Sequence, residues 1–332
     1  MRKNLPALVA LVVVIVWGVN FLLLKLALGE FRVLSFAFLR FSGMVALAWA
    51  VVLVGRVRVR VEPADRPRVA AAGLLGYSGY VLLALIGLNF TTAFSNALLI
   101  AAAPVFSVLL LALWRVERIG AGRGAGLLLA LVGVGVFMSD KILAGWSAAG
   151  LGDLITLLAS AFYAAYTVVL KPLTVRYPAA QLTAWTLTIG ALPVLAISAP
   201  DLVRQDWQSV DAAGWSLLAW TIVVPVYLAY TLWSWATSRA GVAATNGFIY
   251  LVPVVTGLLS IVFFQERLGW AKVAGALLVL IGLVIVAGLR RSQSPEPAEV
   301  DSLIQAVPAA PEAGETDQRG SSSPGRARPS QG

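Results

Sequence analysis

Ten times along this chain, a run of apolar residues is long enough to cross a membrane. A bilayer's hydrocarbon core is ~30 Å thick and takes roughly 17–25 helical residues to span. Runs that satisfy this fall at 6–28, 32–54, 68–88, 91–113, 122–138, 150–170, 182–200, 213–235, 244–264 and 270–289. Composition agrees: 59% of the residues are hydrophobic and 12% charged, whereas a soluble domain carries about 25% charged residues. The expected fold class is therefore an all-α membrane protein of ten transmembrane helices. The first run is too long for a signal peptide, lacks a following A-x-A site and precedes nine more spans. From Ser292 onward Ser, Pro, Ala, Glu, Gln and Gly dominate. Residues 292–332 are expected to form a disordered tail.

The net charge of +9 would point to nucleic acid in a soluble protein, but its placement follows membrane topology. With the N-terminus (1–5) in the cytoplasm, fifteen Lys and Arg residues flank the spans inside and five flank them outside. That bias predicts a multi-pass protein of the cell membrane with both termini cytoplasmic, the lipid bilayer as its surroundings and no nucleic-acid partner. The chain has no Cys and no His. Disulfides, thiolate and imidazole metal sites and Cys or His catalysis are thereby excluded, and no cofactor is expected.

The chain also repeats itself. Pro104, Glu117, Arg118, Gly120, Gly126 and Gly133 match Pro253, Glu266, Arg267, Gly269, Gly275 and Gly282 at one offset, 149, without a gap. "APVFSVLLLALWRVERIG" reads against "VPVVTGLLSIVFFQERLG". More loosely, "WGVNFLLLK" at 17–25 aligns with "YAAYTVVLK" at 163–171, setting Trp17, Asn20 and Lys25 opposite Tyr163, Tyr166 and Lys171. Five spans per copy is odd, so the copies, 6–138 and 150–289, enter the membrane with opposite orientation. Two inverted five-helix repeats around a site near the midplane is a plan of many secondary transporters.

Five-plus-five spans, "WGVNFLLLK" in the first, "FLR" in the second and "P…ER.G" closing the fourth and ninth resemble the EamA-type transporters of the drug/metabolite transporter superfamily. The resemblance covers roughly residues 6–290. It implies a cytoplasmic-membrane carrier, usually an exporter of small metabolites, working by alternating access. It does not name the substrate. The second copy departs from the first, with Tyr-Ala-x-Tyr where the first has Trp-Gly-x-Asn.

Polar residues at membrane depth are the candidate site. Lys25 lies about 28 Å along the first helix, where it either guards an outer gate or snorkels to the interface. Arg40 lies roughly 12 Å into the second. An unpaired charge at the centre of a span costs at least ~2.5 kcal/mol, so Arg40 is expected to face a cavity or to pair with helix-end carbonyls. Asn20 is near the midplane with Trp17 one turn before it; it binds substrate or bridges helices. Tyr163 and Tyr166 occupy the equivalent place on the sixth span, and a cavity between the first and sixth spans accounts for all four. Tyr77, Tyr80, Asn96, Trp185, Tyr227, Tyr230, Trp233 and Tyr250 also fall at depth, with Tyr80 and Tyr250 the better cavity candidates and Trp233 and Trp235 expected in the interfacial belt. Aromatic walls suit amphipathic cargo. Two cations, Lys25 and Arg40, suit an anionic group on it.

Pro104 and Pro253 stand mid-helix at matched positions, as hinges or as static kinks. Glu117–Arg118 and Glu266–Arg267 read as helix-end polar clasps. Gly73, Gly76, Gly79, Gly126, Gly133 and Gly135 read as packing surface. No carboxylate sits mid-span, Asp153 being at the outer mouth of the sixth, so the usual proton relay is missing. Taken together, the leading reading is an exporter of small metabolites such as amino acids, related carboxylates or drugs. A facilitator or importer of similar cargo is the alternative. A membrane enzyme would need clustered acid, base, nucleophile or metal ligands, and the sequence offers none. Oligomeric state is not legible.

Overall fold

The structure is a computed structural model, and it describes residues 5–113, 119–143, 147–266 and 268–291. The N-terminal residues 1–4, the segment 292–332 and Glu117, Arg118 and Arg267 lie outside the described residues.

Ten helices meet the length and hydropathy of a membrane span. They are α1 (Leu5–Glu30), α2 (Val33–Val54), α3 (Pro63–Phe90), α4 (Ala93–Leu113), α5 (Ala121–Lys141), α6 (Ala148–Arg176), α7 (Ala179–Arg204), α8 (Ala212–Ala240), α9 (Gly247–Phe264) and α10 (Trp270–Gly288). Helices are what hydrocarbon permits, because each backbone group must be satisfied internally. Several outrun their apolar runs by a polar turn or more. Large apolar side chains point outward, among them Leu8, Val12, Ile15, Leu258, Val262 and Phe263, as a lipid-facing surface requires. The "near" face below is the one where α1 begins, and the "far" face the one where it ends.

The packing follows the repeat. The first helix of each copy inserts among helices of the other: α1 packs on α8 and α9, and α6 packs on α3 and α4. Helices that the inversion exchanges also pair with each other, α2 with α7 and α5 with α10, and α7 packs on α3 as well. The α5–α10 seam is held close by small residues. A Cβ on Gly133 would lie 2.6 Å from the Val279 amide nitrogen, and one on Gly275 2.6 Å from Phe137 Cα.

The two proline helices break at matched places. α4 turns between Ala101 and Ala103, and α9 at Tyr250, between Ile249 and Leu251. Pro104 and Pro253 follow within three residues, each lacking the amide that would bond four residues back. The carbonyl that Pro104 leaves free is Ile100's, and Ser160 Oγ of α6 donates to it at 3.4 Å. A second pair of irregularities was not foreseen from the sequence. α3 winds as a π-helix over Leu74–Val81 and α8 over Val224–Leu228. At an offset of 149 the first range falls on 223–230, so the wide turns are also repeated.

Candidate functional site

The wide turns carry tyrosines. Tyr77 and Tyr80 lie within the π segment of α3, Tyr227 within that of α8, and Tyr230 two residues beyond it. A π-helix sets side chains off the normal 3.6-residue register and is common at functional sites. Here it turns Tyr77 and Tyr80 toward α6. The Tyr80 ring lies 4.6 Å from Tyr163, Tyr163 lies 6.2 Å from Tyr166, and Tyr166 lies 6.3 Å from Tyr77. From the other side, Trp17 of α1 meets Tyr230 at 5.3 Å and Trp233 at 5.2 Å. Tyr230 is within electrostatic range of Tyr163, Tyr80 and Tyr77. Four helices, α1, α3, α6 and α8, thus contribute rings and phenols to one aromatic cluster between the two repeats. Its tyrosines are not packed solid: Tyr77, Tyr80, Tyr163 and Tyr166 are half-buried, and Tyr230 keeps 54% of its surface open.

Glycines let α6 approach α3. A Cβ on Gly76 would lie 2.6 Å from the Tyr166 ring, and the Phe162 ring covers Gly79. Trp17 is fixed by its indole N–H, which donates to the Pro225 carbonyl at 3.1 Å. Tyr227 is fixed by donation to the Met44 carbonyl of α2 at 3.0 Å.

Arg40 reaches this cluster from α2. It is 7% exposed, and its Nε is buried without a hydrogen-bond partner. Among the described residues no carboxylate pairs with it, and the titratable group it feels is Tyr80. Among the described residues Arg40 donates to no helix-end carbonyl, and its guanidinium lies within electrostatic range of Tyr80. Asn20 stands one helical turn from Trp17, and its Oδ1 is likewise buried without a partner.

Other candidates lie elsewhere. Lys25 does not join the cluster: its Nζ donates to the carbonyls of Leu88 at 2.8 Å and Asn89 at 3.1 Å, at the far end of α3. Glu266, also near Lys25, pairs with Lys272 at 3.1 Å. Tyr250 packs with the α4–α5–α10 core at the break in α9. Trp233, expected in the interfacial belt, packs on Trp17. Asn96 donates to Ala84 O and Thr156 Oγ1 and so ties α4 to α3 and α6. Trp185 meets Trp49 edge-on and donates to Val59 O.

One far-face cluster went unrecognised in the sequence. Asp153, fully buried, pairs with Lys141 at 2.5 Å and accepts from Thr91, while Lys141 also donates to Thr91 and Ser95. Four separate segments meet there, and no local sequence signal announces it. A hollow of ≈ 600 Å³ also opens on the far face beside Arg32, Asp201 and Gln205, where Arg32 and Asp201 form an ion pair at 3.0 Å.

A ten-helix bundle with a polar and aromatic cluster between its halves is the build of a multi-pass membrane transporter. The sequence model of the EamA-like transporter family matches residues 4–139 and 150–288, and the chain belongs to that family. It is 30% identical to a "probable amino-acid metabolite efflux pump" of Salmonella typhimurium, over 85% of this chain and 94% of that one. A "probable terminal-alkyne amino-acid exporter" of Streptantibioticus cattleyicolor is 29% identical over 85% and 94%. A solved crystal structure, 19% identical, superposes with a TM-score of 0.58 over 87% of this chain and 99% of its own, a likeness of fold. Transporters, not enzymes, are what the family and these relatives' names describe.

Proposed function

We propose that this protein exports amino acids or related amphipathic carboxylates across the cell membrane, as a secondary transporter working by alternating access. Both termini lie in the cytoplasm in this reading, which puts the near face inside. The observation that carries it is Arg40: a guanidinium buried at depth, unpaired within the described residues, beside a half-open wall of phenols. A guanidinium matches a carboxylate in charge and in fork geometry, so cargo would complete the pair that the protein leaves open. Trp17, Tyr80, Tyr163 and Tyr166 would enclose the apolar body, with Asn20 on the Trp17 face. The breaks beside Pro104 and Pro253 would be the hinges on which the halves rock. Relatives named as exporters of amino acids or their metabolites support the cargo class and, more weakly, the direction.

Untargeted metabolomics of spent medium tests this. Cells producing the protein are compared with cells producing Arg40→Ala at matched membrane abundance. The expected result is a small set of amino acids or related carboxylates enriched outside only with the intact protein. Depletion of such compounds from the medium would replace export by uptake. Enrichment of cationic or neutral compounds alone would refute the role given to Arg40.

A further inference from the structure

Lys25 is bonded at the far face, whereas its counterpart Lys171 is exposed at the near face and has no partner among the described residues. Each lysine stands five residues before the end of its helix, Lys25 before Glu30 and Lys171 before Arg176. Lys25 caps α3 through the Leu88 and Asn89 carbonyls, two and one residues before its end at Phe90. The inversion exchanges α1 with α6 and α3 with α8. Counted back from the helix end, the matching carbonyls are those of Ser238 and Arg239, before the end of α8 at Ala240. The two helix ends close alike, since Thr91 N bonds Gly87 O and Gly241 N bonds Thr237 O, both at 2.9 Å, one residue off the offset of 149. Yet Lys171 is exposed and its amine has no hydrogen bond or ion pair among the described residues. No described group donates to Ser238 O or Arg239 O either.

We propose that Lys25 and Lys171 are alternate latches, each closing one face by capping the end of a helix from its own repeat. A helix C-terminus presents unsatisfied carbonyls and the negative end of the dipole, so an ammonium suits it. The structure then holds the far face latched and the near face unlatched. In the opposite state Lys171 caps α8 and Lys25 lets go of α3. Because one bond is exchanged for its mirror counterpart, the two states stay near balance. Neither lysine belongs to the aromatic cluster, so the latch acts on the faces and not on the cargo.

The inference rests on alternating access, and the test separates the two. The chain has no Cys, so paired spin labels can be placed without background. One pair, at Gly29 and Phe90, reads the far face; the other, at Val175 and Ala240, reads the near face. Two distance populations are expected for the parent. Lys25→Gln should enrich the far-open, near-closed population about tenfold, the effect of one charge-assisted hydrogen bond. Lys171→Gln should deplete that population by a similar factor, and Lys171→Arg should retain it. Unchanged populations in Lys171→Gln, or a shift in the same direction as Lys25→Gln, would overturn the latch while leaving alternating access in place. A single population in parent and variants alike would overturn both. If Lys25→Gln fails to accumulate, Lys171→Gln decides alone, because nothing in the fold rests on its exposed amine.

Discussion

Arg40 and Asp153 are both buried charges, and they call for opposite outcomes on substitution. Asp153 is satisfied by Lys141 and Thr91, and removing one member of such a pair strands the other, at a cost of about 3–5 kcal/mol. Asp153→Asn should lower thermal stability and membrane abundance, and Lys141→Met added to it should restore part of both. Arg40 has no counter-charge to strand among the described residues, so Arg40→Ala should leave melting temperature and abundance unchanged or raised. Its loss should appear in transport alone, roughly tenfold or more for a charge-assisted contact worth ~1.5–3 kcal/mol. A melting curve of detergent-purified protein beside a flux assay separates the two cases. Arg40, Trp17, Tyr80, Tyr163 and Tyr166 could be picked out from residue type and depth, because hydrocarbon makes polar atoms conspicuous. The partners of Lys25 and Asp153 could not, because both lie on helices distant in sequence.

At the scale of the helix, one pattern of small residues turns out to hold two kinds of glycine. Gly133 and Gly135 both read as packing positions. In the structure a Cβ on Gly133 would press on backbone atoms of α10, whereas one on Gly135 would meet nothing within 4 Å. Gly133→Ala should therefore part α5 from α10 and reduce abundance. Gly135→Ala should be neutral or stabilising by up to ~1 kcal/mol, the ordinary helical preference for Ala. Thermal unfolding of both variants checks the contrast. Prolines at matched positions made the two helix breaks expected. The π segments stayed hidden in the sequence, since a widened turn depends on what packs against it and not on a residue type.

For the whole molecule, the inverted architecture was readable because an odd number of spans per repeat leaves no other arrangement. The exchange of α1 and α6 between repeats was not, because a repeat specifies equivalence and not partners. Topology gives a separate check: cysteines introduced at Gly55 and Gly241 should react with an impermeant thiol reagent only from the cytoplasm, and one at Gly29 only from outside. Labelling from the reverse sides would invert the proposed direction of the near and far faces.

The most direct measurement is counterflow in proteoliposomes, comparing the twenty amino acids with their C-terminal amides, for the parent and for Arg40→Gln. If Arg40 receives the carboxylate, at least one acid is transported tenfold or more faster than its amide, and Arg40→Gln removes the difference. Equal rates for acid and amide in the parent, a preference that survives Arg40→Gln, or no transport of any amino acid would contradict that assignment.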